Sequence, residues 1–95
     1  MTIKDTLHVS GIPYSVDEGQ LQTFFEAYGD IAFVKIIRFT DSGRSRGYGF
    51  VSFKDPQDAE LAVNHADREQ IGDRYIQVNW SSRNSVGEEQ EVNDG

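Results

Sequence analysis

Eight consecutive residues, Arg46-Gly47-Tyr48-Gly49-Phe50-Val51-Ser52-Phe53, constrain the fold of this chain more than any other segment. As a strand the stretch alternates by two, so Tyr48, Phe50 and Ser52 share one face while Gly49, Val51 and Phe53 share the other. Both faces carry apolar groups, and two apolar faces need two covers. A chain of 95 residues supports one domain with one modest core. If helices bury the Val51/Phe53 side, Tyr48 and Phe50 are left as uncovered aromatic plates beside the cationic Arg46.

The rest of the chain supplies covers for one side only. Thr6 to Ser10 alternates and stops at Gly11-Ile12-Pro13, which reads as a strand followed by a breaker. Ser15 with Glu18 three residues later reads as a capping box, and Leu21, Phe24, Phe25 and Tyr28 continue at helical spacing to an expected stop at Gly29. Ile31 to Phe39 is rich in β-branched and aromatic residues and predicts a second strand. Asp41-Ser42-Gly43 makes a turn into the octet, which is the third strand. Asp55 and Pro56 supply an N-cap and a first-turn proline, and Ala59, Ala62, Val63 and Ala66 give the second helix a small-residue face. Gly72-Asp73 turns into a fourth strand over Arg74 to Trp80.

The order β-α-β-β-α-β is the split βαβ arrangement, an α+β, ferredoxin-like sandwich. Right-handed crossovers put both helices on the same face of a four-stranded antiparallel sheet. Nothing in the sequence covers the other face. Alternation assigns it His8 from the first strand, Phe33, Lys35 and Ile37 from the second, and Gln77 and Asn79 from the fourth. Leu7, Val9, Val34, Ile36, Ile76 and Val78 then face the core. Arg38, Arg44, Arg46 and Arg83 are expected at strand ends, the loop rim and the exit of the fourth strand. Exposed aromatics flanked by positive charge suit the stacking of unpaired bases.

Charge opposes that expectation in sum but not in distribution. The formal net charge is −7 and the isoelectric point about 4.6, where a nucleic-acid module is expected to be basic. The last twelve residues hold Glu88, Glu89, Glu91 and Asp94 and no Lys or Arg, which leaves nine basic against twelve acidic residues over 1–83. Asp17, Glu18, Glu26, Asp58, Glu60, Asp67 and Glu69 fall on the helices or their ends. The expected picture is a thin basic rim on the sheet side and an acidic back. Residues 5–83 form the expected domain, and 84–95 an acidic tail without periodicity, expected to be disordered.

Composition removes other classes. Without cysteine there is no disulfide framework, thiolate metal site or cysteine nucleophile, which is consistent with a reducing intracellular compartment, nuclear or cytoplasmic. No apolar run reaches the length that crosses a membrane, and the N-terminus carries no signal-like apolar stretch. His8 and His65 have no third ligand to complete a metal site. No nucleophile–base–orienter set or phosphate-cradling loop is visible, so neither catalysis nor a cofactor is expected.

The octet matches position by position the octamer motif of the RNA recognition motif (RRM) family: basic, Gly, aromatic, Gly or Ala, Phe, Val, any residue, aromatic. Leu7-His8-Val9-Ser10-Gly11-Ile12 occupies the place of the family's hexamer motif, with His8 where Phe or Tyr is usual and Gly11 where Asn is common. The run Asp73 to Trp80 is somewhat similar to RRMs of nucleolin-type proteins. The family resemblance covers residues 5–83 and implies binding of two to four nucleotides of single-stranded RNA across the sheet, by a monomer. It implies stacking by Tyr48, Phe50 and His8, phosphate or rim contacts from Arg46, Arg44, Lys35 and Arg83, and base preference set by Phe33, Gln77 and Asn79. The alternative is an RRM-fold domain that engages a protein through its acidic helical face. Trp80 stays open between packing at the sheet margin and reaching RNA.

Overall fold

The computed structural model describes residues 4–81; Arg83 and the acidic tail over 84–95 lie outside the described residues. Strand β1 (Thr6–Ser10), helix α1 (Glu18–Phe25), strands β2 (Ile31–Arg38) and β3 (Ser45–Phe53) and helix α2 (Pro56–His65) follow the expected order. A short hairpin of β4 (Gln70–Ile71) and β5 (Arg74–Tyr75) then leads into β6 (Gln77–Trp80). The main sheet has four strands in the order β2-β3-β1-β6, each pair antiparallel. The expected α+β architecture is therefore present, with the octet on one of the two central strands.

One buried cluster joins Leu7, Val9, Val51, Phe53, Ile36 and Val78 from one side of the sheet to Leu21 and Phe25 of α1 and Ala59 and Ala62 of α2. Both helices therefore lie on that side. Phe25 and Phe53 meet edge to face at 6.4 Å, anchoring α1 against the end of β3. The alanines of α2 let its backbone approach the sheet, and its start is as expected: Asp55 accepts a hydrogen bond from the Gln57 amide, with Pro56 in the first turn.

Three boundaries differ from the sequence expectation. The capping box of α1 is Asp17 with Gln20, not Ser15 with Glu18: the Gln20 amide donates to Asp17 at 2.8 Å and the Asp17 amide to Gln20 at 3.0 Å. Ser15 sits in a turn closed by the Val16 amide donating to the Pro13 carbonyl, two residues too early to cap. The regular helix ends at Phe25, after which Tyr28 and Gly29 make tighter bonds to Phe25 and Glu26. Arg74 and Tyr75 pair with Gln70 and Ile71 instead of extending the fourth strand. Ile76 is the pivot: its amide donates to the Glu69 carbonyl at 2.9 Å, and its own carbonyl accepts from Arg68 at 2.8 Å.

Those bonds flank one edge of the sheet, and carboxylates sit at both edges. On β2 the Ile36 amide donates to Glu18 at 3.3 Å, and on β6 the Val78 amide donates to Asp67 at 3.0 Å.

Candidate nucleic-acid interface

Strand register builds the open face row by row. Lys35 of β2, Phe50 of β3, His8 of β1 and Asn79 of β6 stand side by side across all four strands. Tyr48, Ser10 and Gln77 form the next row toward one end, and Phe33, Ser52 and Thr6 the row toward the other. Cross-strand neighbours on one face lie close enough for their side chains to interact. The His8 ring accordingly stacks on Tyr48 with centroids 5.4 Å apart and meets Phe50 nearly edge-on at the same distance.

This contact changes one expectation. Tyr48 and Phe50 are half-buried rather than fully exposed, because His8 covers part of each ring from the neighbouring strand. Phe33 is the most exposed aromatic of the face, at 50%. Ser52 is buried, accepting a hydrogen bond from the Thr6 hydroxyl at 3.3 Å, so that end of the face is closed by a polar pair. Gln77 and Asn79 are exposed, as is Lys35. Trp80 pairs with Leu7 and so points to the helix side, where it packs against the core and Lys4 lies 5.8 Å above its ring.

Two glycines of the octet fix its geometry. A Cβ on Gly49 would collide with the Lys35 carbonyl and stand 3.0 Å from the Ile36 Cα, so glycine permits the close approach of β2. Gly47 has φ +83°, where the pairing of β2 and β3 shifts between Ile36 and Arg38. Its carbonyl accepts from the Ile12 amide at 2.9 Å, tying the β1–α1 loop to the start of β3.

The basic rim divides into two parts. Arg46 is exposed, with its guanidinium 4.5 Å from the centre of the Phe39 ring. Arg44 is exposed in the β2–β3 loop. Arg38 pairs with Glu18 at 2.7 Å and donates to the Gly43 carbonyl at 3.2 Å, so much of its charge is answered from the helix side. The Arg38 hydrogen bond holds the Glu18 carboxyl below its ordinary range. Arg38 ends β2 at the rim as expected, but Glu18 of α1 holds its guanidinium.

Two aromatics were not anticipated at this end. Tyr14, in the β1–α1 loop, and Phe39, just past β2, line a groove of about 580 Å³ with Arg38, Arg44 and Arg46. Tyr14 lies outside the alternating runs, and Phe39, expected as the last residue of the second strand, falls just past its observed end at Arg38. Among the described residues no group of three or more His, Cys, Asp or Glu could hold a metal, and no helix is long and apolar enough to cross a membrane. His65 is exposed on α2.

The comparisons agree with this geometry. The model of the RNA recognition motif family matches residues 7–77. The chain is 35% identical over 86 residues to RNA-binding protein 208 of Oryza sativa subsp. japonica, covering 90% of this chain and 19% of that protein. It is 40% identical over 80 residues to glycine-rich RNA-binding protein 7 of Arabidopsis thaliana, covering 83% of this chain and 46% of the relative. The chain thus spans less than half the length of either relative. Among solved structures it is similar to the RNA15 RRM with bound RNA (GU), with a TM-score of 0.77 and 27% identity over 85% of this chain and 86% of that one.

Proposed function

The chain belongs to the RNA recognition motif family, and from that premise we propose that its open sheet face binds two to four nucleotides of single-stranded RNA. The observation that carries the proposal is the continuous row Lys35–Phe50–His8–Asn79 with Tyr48 stacked beside it. Tyr48 and Phe50 offer two ring faces to bases, with His8 as a third, smaller platform that also holds the other two in place. Arg46, Arg44 and Lys35 contact phosphates. Gln77 and Asn79 have amide donors and acceptors for base edges, and Phe33 adds a further ring at the edge strand. Arg83 belongs to the same proposal as a cation at the domain's exit. Residues 5–83 form the binding domain, active as a monomer inside the cell, in RNA processing or post-transcriptional regulation, without catalytic chemistry. The bound RNA (GU) of the similar RNA15 RRM supports the ligand class.

Base–aromatic stacking contributes about 1–3 kcal/mol per base, and micromolar affinity corresponds to about 8 kcal/mol. Two or three stacked bases with a few phosphate contacts therefore amount to micromolar binding. The test is a double substitution, Tyr48→Ala with Phe50→Ala, assayed against short random-sequence RNA. Loss of at least about thirtyfold in affinity with an intact fold is expected. Undiminished binding would sink the proposal, and an intact wild-type domain that binds no RNA pool would favour a protein partner on the acidic helical side instead.

A further inference from the structure

The four strands of the main sheet, TLHVS, IAFVKIIR, SRGYGFVSF and QVNW, contain no Asp or Glu. The twelve acidic residues counted over 1–83 lie on the helices, at their ends and in the loops. On the sheet side Lys35, Arg44 and Arg46 are exposed, and among the described residues none of the three is in an ion pair. Asp41 is the one acid of the β2–β3 loop, and Glu18 is committed to Arg38. The Phe39 ring, 4.5 Å from the Arg46 guanidinium, steadies that cation from one side. Stacking of this kind leaves the in-plane N–H donors of an arginine open to an oxyanion.

The last twelve residues are the complement of this surface, with Glu88, Glu89, Glu91 and Asp94 and no Lys or Arg. Against the helices such a segment meets like charge from Asp17, Glu26, Asp58 and Glu60. Against the sheet it meets cations without carboxylates beside them. Its tether is long enough. The Ser81 amide donates to the Thr6 carbonyl, and Thr6 pairs with Ser52, six residues along β3 from Arg46. With β1 between β3 and β6, Arg46 therefore lies about 20 Å along the sheet and about 10 Å across it from Ser81. Lys35, which pairs with Phe50, is nearer. Glu88 is seven residues beyond Ser81 and Asp94 thirteen, so an extended chain carries them up to about 23 Å and about 43 Å.

We propose that residues 88–94 lie back across the open sheet face, their carboxylates on Lys35, Arg44 and Arg46, and that RNA must displace them. The competition rests on the sheet face binding RNA; the contact itself does not. A segment on a short tether acts at an effective concentration on the order of millimolar, while exposed ion pairs are individually weak. The tail therefore lowers affinity a few-fold and does not block it.

The chain has no cysteine, so Gln90→Cys accepts a single nitroxide spin label. In the full chain without RNA at low salt, the label is expected to broaden resonances of Lys35, Arg44 and Arg46 and to spare those of Glu60 and His65 on α2. The broadening is expected to vanish at about 0.5 M salt, where exposed pairs are screened, and on adding a random-sequence octanucleotide RNA pool. Adding Glu88→Gln, Glu89→Gln, Glu91→Gln and Asp94→Asn to the labelled chain should also remove it, which separates a charge contact from mere tethering. Without the label, these four substitutions are expected to tighten binding of the same pool about threefold at about 50 mM salt and to leave it unchanged at about 0.5 M. Absent broadening, equal broadening of both sides, or broadening that survives the four substitutions overturns the inference. Broadening passed from a labelled chain to a separate isotope-enriched one assigns the contact to a second copy and overturns it as well. Broadening of the sheet side with no RNA bound by either chain overturns the sheet-face proposal and the competition with it; RNA binding without broadening overturns this inference alone.

Discussion

His8 is the residue at which the stacking surface departs most from its family pattern, and the structure gives it two tasks. Its ring is a platform, and it also packs against both Tyr48 and Phe50 from the adjacent strand. A phenylalanine can do both with more area. His8→Phe is therefore expected to preserve RNA affinity or to tighten it by up to about tenfold, measured by titration with short RNA pools. A marked loss would show that an imidazole nitrogen makes a polar contact to RNA. Tyr48, Phe50, His8, Gln77 and Asn79 were all legible as one face because alternation alone assigns them. The same parity reaches Trp80: Ile76 and Val78 face the core, and Trp80, two residues on, does too. Tyr14, in a loop after Pro13, had no such signal, and its ring meets Arg74 from sixty residues on. Phe39 was expected to end the second strand, but the strand stops at Arg38 and the Phe39 ring meets Arg46 across the β2–β3 turn.

Among the elements, α1 shows where local pattern is insufficient. Ser15 to Glu18 and Asp17 to Gln20 both fit a capping box, and they overlap. Tertiary contacts decide between them. The Pro13–Val16 turn occupies Ser15's stretch of backbone, while Glu18 is drawn off by Arg38 and the Ile36 amide, eighteen or more residues away. Asp17→Ala is thus expected to cost about 1 kcal/mol of stability and Ser15→Ala less than about 0.5 kcal/mol, as read from chemical denaturation. The opposite ranking would restore the cap to Ser15. Helix α2 was read correctly because Asp55-Pro56 has no competitor nearby. The β4–β5 hairpin escaped because a strand of two residues has no period, and Arg74–Tyr75 alternates equally well with the strand that follows.

For the whole molecule, the question is how a chain of net charge −7 meets a polyanion. With Arg38 paired to Glu18, the cations left to the sheet side and its rim are Lys35, Arg44 and Arg46. Neutralising about three phosphates on a single strand gives a slope near −2 for log affinity against log salt. A salt titration with a random-sequence octanucleotide RNA pool checks this, and a slope steeper than about −4 would require cations beyond these three.

The carboxylates at the two sheet borders put the acidity in a different light. An open sheet ends in strands whose outward amides can recruit another chain, which is how edges begin aggregation. Here the outward amide of Ile36 already donates to Glu18 and that of Val78 to Asp67. A strand arriving from another molecule would have to displace a bonded anion on either side. Part of the negative charge that disfavours RNA therefore protects this small sheet against pairing with copies of itself, while its aromatic face stays uncovered.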